Sequence, residues 1–165
     1  WVFFGERAHK KGVLKEAKRD NVLNFATHGV LDPDPLKSHL KMAKARLTVD
    51  DIAGIEFSRD TTLIVLSACQ TAVSVGKHMG EGISIAEAFA TAGVPTLIAS
   101  LWNVPDNATT ELMARFYKHL RTGKNDTLSA LRAAQLELMR LEIDGRRPYK
   151  HPRYWAGFEL IGDYR

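Results

Sequence analysis

Apolar residues along this chain fall either in short unbroken runs or in stripes at helical spacing, and the two kinds of pattern alternate. Val2-Phe3-Phe4 is a short run closed by Gly5 and predicts a strand. From Glu6 to Lys18, Ala8, Val13, Leu14 and Ala17 lie on a rough helical stripe with Lys and Arg elsewhere. The run Val22-Leu23-Asn24-Phe25-Ala26-Thr27 then completes a strand, helix, strand succession, the signature of a parallel crossover. Asp32-Pro33-Asp34-Pro35 reads as loop, because each proline drives its predecessor out of the helical region. Leu36, Leu40 and Met42 suit either a hairpin strand or a short helix. Thr48, with Asp51 three residues on, predicts a capping box that opens a short helix through Ile52 and Ile55.

Thr61 to Ala68 is apolar on consecutive positions, as in a strand covered on both faces. Thr71 to Glu81 is a long loop with Gly76 and Gly80, and loops of this length are often lids or disordered segments. Ile83 to Ala92 is a small-residue helix ended by Gly93. Pro95 precedes another buried strand, Thr96-Leu97-Ile98-Ala99-Ser100-Leu101, with a loop from Trp102 to Asp106 at its carboxyl end. Ala108, Leu112, Phe116 and Leu120 share one helical stripe, ended by Gly123. Thr127 starts another helix, with Leu128, Leu131, Ala134, Leu138 and Leu141 at helical spacing. Tyr154 to Ile161 is a last strand, parallel or antiparallel. The pattern predicts an α/β protein, a three-layer α/β/α sandwich with a mostly parallel sheet of about five main strands.

Composition narrows this picture. A chain of 165 residues, 45% apolar, suits one domain spanning residues 1–165. It opens directly on a strand, so the N-terminal part of that domain is expected upstream. No apolar stretch reaches the roughly 18 residues of a membrane span, and no secretory signal is visible. The net charge of +4 is mild. Its clusters, Arg7 to Arg19 and Arg146-Arg147, read as solvated surface without a nucleic-acid motif, so neither nucleic acid nor membrane is an expected partner. The single cysteine excludes an internal disulfide and fits a reducing compartment such as the cytoplasm. His9, His39, His78, His119 and His151 show no metal-ligand spacing, and Gly80-Glu81-Gly82 lacks the Lys-Ser/Thr ending of a phosphate loop. No metal and no cofactor is expected.

Two of the apolar runs end in reactive residues: one stops at His28-Gly29, the other at Cys69-Gln70-Thr71. Neighbouring parallel strands share one carboxyl edge, where ligands bind. A lone cysteine after an apolar run is usually inert core. Cys69, however, follows its strand, with small or polar Ser67, Ala68, Gln70 and Thr71 around it. An imidazole beside a thiol can accept its proton and later protonate a leaving amine. The amides of Gly29 and Cys69 are candidates for an oxyanion hole. Asp106 is either a pocket acid or the cap of the next helix, and the cap is favoured. Glu81 is a second candidate pocket acid, or a carboxylate favoured by the dipole of a first helical turn. Trp102 is a pocket wall or core.

Ala26-Thr27-His28-Gly29 and Leu66-Ser67-Ala68-Cys69-Gln70-Thr71 resemble the two catalytic blocks of the CHAT family, caspase-like cysteine peptidases often fused to tetratricopeptide repeats. Gly80-Glu81-Gly82, Ala92-Gly93-Val94-Pro95, Ser100-Leu101-Trp102-Asn103-Val104 and His151-Pro152-Arg153-Tyr154-Trp155-Ala156-Gly157-Phe158 extend the resemblance in order along nearly the whole chain. Leu101-Trp102-Asn103-Val104-Pro105-Asp106 is also similar to the separase protease domain. The resemblance implies the C-terminal portion of a caspase-like domain, with a His28–Cys69 dyad cleaving a protein substrate. It further implies a module of a larger regulated protein, beside tetratricopeptide repeats or another sensor domain; from its length, the Thr71 to Glu81 loop is the expected moving part, ordered by a partner or an N-terminal sensor. A catalytically silent interaction scaffold is the alternative. A nucleotide-binding domain ranks below both, for want of a glycine-rich loop after the first strand.

Overall fold

The computed structural model describes residues 8–19, 21–67, 70–73, 83–123 and 126–163. Its elements run α1 (Lys10–Glu16), β1 (Val22–Phe25), β2 (Gly29–Val30), β3 (His39–Met42), β4 (Ala45–Thr48), α2 (Val49–Ala53), β5 (Leu63–Leu66), α3 (Ile85–Thr91), β6 (Thr96–Ser100), α4 (Asp106–Arg121), α5 (Thr127–Arg140) and β7 (Phe158–Gly162). The main sheet has the order β1-β5-β6-β7. β5 is parallel to β1, with Phe25 opposite Leu66, and parallel to β6, with Val65 opposite Ile98. β7 closes the sheet antiparallel to β6, with Phe158 opposite Ser100.

The consecutive apolar runs of β5 and β6 are explained by burial on both faces. Successive residues of a strand point to opposite sides. Ile64, Leu66, Leu97 and Ala99 therefore join one core with Ile85, Ala86, Ala88 and Phe89 of α3, Val49 and Ile52 of α2, and Ala17 at the end of α1. Leu63, Val65 and Ile98 face the other way, into a second core with Ala108, Leu112, Met113 and Phe116 of α4 and Ala130, Leu131, Ala134 and Leu138 of α5. This is the expected three-layer α/β/α arrangement.

A second sheet, β2-β3-β4, branches off where β1 ends. The segment whose periodicity was ambiguous, around Leu40 and Met42, is a hairpin: β3 pairs antiparallel with β4, and Leu40 and Leu47 face each other fully buried. The capping box holds, since the Thr48 hydroxyl accepts from the Asp51 amide and the Asp51 carboxylate accepts from the Thr48 amide. β1 stops at Phe25, earlier than its apolar run, because Ala26 and Thr27 already turn toward the second sheet. The last strand begins only at Phe158; Pro152–Tyr154 is one 3₁₀ turn, capped by His151, whose Nδ1 accepts from the Arg153 amide. Leu128 is 46% exposed, against expectation. It stands about 100° around α5 from buried Thr127, on the flank of the stripe that faces the core. The expected strand Val2-Phe3-Phe4 lies outside the described residues.

Candidate functional site

Three residues carry the chain from the main sheet to the small one, and His28 is the last of them. Thr27 and His28 are both tied to β3. The Thr27 hydroxyl donates to the Lys41 carbonyl at 2.6 Å, and the Lys41 amide donates to the His28 carbonyl at 2.9 Å. The imidazole is left exposed, with no hydrogen-bond partner among the described residues. In an antiparallel ladder, bonded and non-bonded pairs alternate. Lys41 bonds His28, so the next pair, Gly29 with Leu40, is a non-bonded one and the Gly29 amide points away from β3. Gly29 thus has a backbone donor that its own sheet does not use.

Ala68 and Cys69 lie outside the described residues, as do Glu81 and most of the Thr71 to Glu81 loop. The chain is fixed on both sides of the cysteine. Ser67 ends the β5 run, its hydroxyl donating to Asn24 Oδ1 of β1 at 3.4 Å. Gln70, directly after Cys69, has φ 55°, a left-handed conformation that non-glycine residues seldom adopt and that clusters at functional sites. Thr71 is fully buried. Its hydroxyl accepts from the Ser100 amide at 3.2 Å, its carbonyl accepts from the Ala86 amide, and the Ala72 amide donates to the Ser100 carbonyl. The residues after the cysteine are therefore anchored to the end of β6 and the start of α3.

One cleft of about 260 Å³ opens at the carboxyl ends of β1, β5 and β6. His28, Ser67 and Ser100 come to it from three different strand ends, Asp106 and Thr110 from the first turn of α4, and Phe158 from β7. Its volume lies just below the roughly 300 Å³ at which small-ligand pockets begin. Asp106 is the sole carboxylate of the lining among the described residues. The favoured cap role for Asp106 is corrected here: Pro105 occupies the cap position without a side-chain bond, and Asp106 is the first helical residue, exposed toward the cleft. A one-residue offset separates the two roles, because only the cap residue has the extended backbone that turns its carboxylate back onto the helix amides.

Trp102 is not part of the cleft lining. Its indole N–H donates to the Arg153 carbonyl at 3.1 Å, and its ring lies against Gly157. It packs against the core cluster that contains Val104 and Phe158, which do line the cleft. The sequence reading missed Ser100, Thr109, Thr110 and Phe158. The two threonines were findable, standing three and four residues after Asp106 and so on its face of the helix. Ser100 and Phe158 meet only through strand pairing. Among the described residues, no three His, Cys, Asp or Glu converge as a metal site requires, and no helix is long and apolar enough to cross a membrane.

A family model described as CHAT domain matches residues 2–163. Tetratricopeptide repeat protein 28 of Mus musculus is 31% identical over 117 residues, and its Homo sapiens counterpart 32% over 117 residues. These alignments cover 70% of this chain but 4% of either relative, so the chain spans a small fraction of their length.

Proposed function

The chain belongs to the CHAT-domain family, which is related to caspase-like cysteine peptidases, and from that premise we propose that it is a cysteine endopeptidase with a His28–Cys69 dyad. His28 takes the thiol proton, and the Cys69 thiolate attacks the scissile carbonyl. The tetrahedral oxyanion is held by the amides of Gly29 and Cys69. His28 returns its proton to the departing amine, and water then hydrolyses the thioester to regenerate the thiol. The observation that carries the reading is the cleft, which collects His28 and Ser67, two residues before Cys69, at one sheet edge. The unused amide of Gly29 supports the oxyanion role. With the Asp106 carboxylate in its lining and no Lys or Arg among the described lining residues, the cleft suits a basic side chain before the cut. Glu81 is retained as a second contact to that side chain, and Trp102 as the support of the wall. In the reducing cytoplasm the chain would act as a module of a larger tetratricopeptide-repeat protein, a setting supported by the relatives' name.

A thiol-reactive peptide electrophile with arginine at its reactive end tests this. Labelling of Cys69 is expected, absent in Cys69→Ala and slowed about 100-fold or more in His28→Ala. In Asp106→Asn the preference for arginine over leucine in that probe is expected to shrink, with the leucine probe unaffected. A native chain whose Cys69 stays unmodified would favour the silent scaffold.

A further inference from the structure

We propose that Lys41 and Arg46 form a cation pair that selects substrates with acidic side chains shortly after the scissile bond, an inference that rests on the peptidase reading of the cleft. In the β3–β4 ladder, Lys41 stands directly opposite Arg46, and both are exposed. Side chains at such positions share a face, with Cβ atoms about 5 Å apart, and like charges there repel. Neither side chain has a carboxylate partner among the described residues. The nearby acids Asp34 and Asp51 are taken by Lys37 and Lys10. The hairpin is held by its opposite face, where Leu40 and Leu47 are fully buried, so the fold gains nothing from two facing cations. An anionic partner would relieve the repulsion and add attraction.

The position of the pair says which anion. The backbone bond from Lys41 to His28 extends the line Arg46–Lys41 across to the cleft. At a strand spacing of about 4.8 Å, the two cations stand about 5 and 10 Å beyond His28. His28 is the group that protonates the departing amine, so the peptide following the cut passes it on the way to the pair. An extended peptide advances about 3.3 Å per residue, which puts the cations about two and three residues past the bond. A nucleic acid fits less well. Affinity for nucleic acid grows with the number of phosphates neutralised, and the pair offers two cations beside a cleft whose carboxylate, Asp106, repels phosphate.

The test measures binding by fluorescence anisotropy on the Cys69→Ala chain, so that it does not depend on turnover. Two labelled peptides are compared, identical except for Glu or Ala at the second and third positions after an arginine. The Glu peptide is expected to bind about five-fold tighter at low salt, with the advantage fading as salt rises. Lys41→Ala/Arg46→Ala should erase the difference without lowering the melting temperature. Lys41→Glu/Arg46→Glu should prefer a third peptide carrying Lys at those positions, a swap that misfolding does not produce. Equal binding of the Glu and Ala peptides, no swap in the reversed variant, or displacement of the Glu peptide by an oligothymidylate would each overturn the proposal. If the charge swap holds while Cys69 of the native chain resists the electrophile, the acidic-peptide surface stands and the peptidase reading alone falls.

Discussion

Gly157 has no room for a side chain. A Cβ built there would approach Val104 Cγ2 to 2.6 Å and the Trp102 ring to 2.9 Å, and the Gly157 carbonyl accepts from the Leu101 amide at 2.8 Å. Gly157→Ala is expected to destabilise the chain by about 1–3 kcal/mol, read by urea unfolding, because neither neighbour is the free end of a flexible chain. Val104 lines the cleft, so the substitution should also slow labelling of Cys69 in the fraction that remains folded. A variant with native stability would mean that Trp102 is not wedged against this glycine. Single residues are also where the sequence was least legible. The side chains of Trp102 and Asp106 each fitted two roles; for Asp106 the choice turned on which residue of the loop first takes helical backbone angles, and for Trp102 on the distant Arg153 carbonyl that its indole reaches.

Short elements depended on local chemistry, and there the sequence was easier to read. The capping box at Thr48 is encoded in four residues and needs nothing from the rest of the chain, and the same spacing at Ser84 and Glu87, which the sequence reading passed over, starts α3 at Ile85 rather than Ile83. The β3–β4 hairpin was not legible, since Leu36, Leu40 and Met42 satisfy a helical and an alternating template equally, and only burial of Leu40 against Leu47 decides between them. Asp51 connects one such element to its neighbour. Partial burial raises its pKa, but hydrogen bonds from Lys10 and from Thr48 outweigh this and hold it below 3.8. A carboxylate with a depressed folded pKa stabilises the fold above its unfolded value, and that contribution is lost as pH falls through the folded one. Asp51→Asn is therefore expected to cost about 1 kcal/mol at pH 7, through the lost charge beside Lys10 and the weaker neutral bond to the Thr48 amide. The difference from the native chain should shrink as pH drops below about 4. Chemical denaturation at a series of pH values checks this; a gap that stays constant down to pH 2 would contradict it.

At the level of the molecule, the alternating burial of β5 and β6 joins the two cores through a sheet one backbone thick. Leu112, fully buried between α4 and the sheet, is expected to cost about 2–5 kcal/mol when replaced by alanine. Because the inner strands are shared, the loss should not stay on that side. Amide exchange of Ile85 to Phe89, in the opposite layer, is expected to accelerate by the same free energy, as one cooperative unit requires. Unchanged protection in α3 would mean two separately folding halves. The layered plan was readable from uninterrupted apolar runs, whereas the direction of β7 and the place of Phe158 in the cleft came from contacts across more than 50 residues of chain.

The same long reach has a consequence during synthesis. A nascent polypeptide that has exposed His28 and Ser67 still lacks Phe158, which arrives with the final strand of the sheet. Translation runs at about 5–20 residues per second, so the recess stays open on one side for several seconds while the intervening helices emerge. The recess therefore takes its full shape only after that strand has left the ribosome.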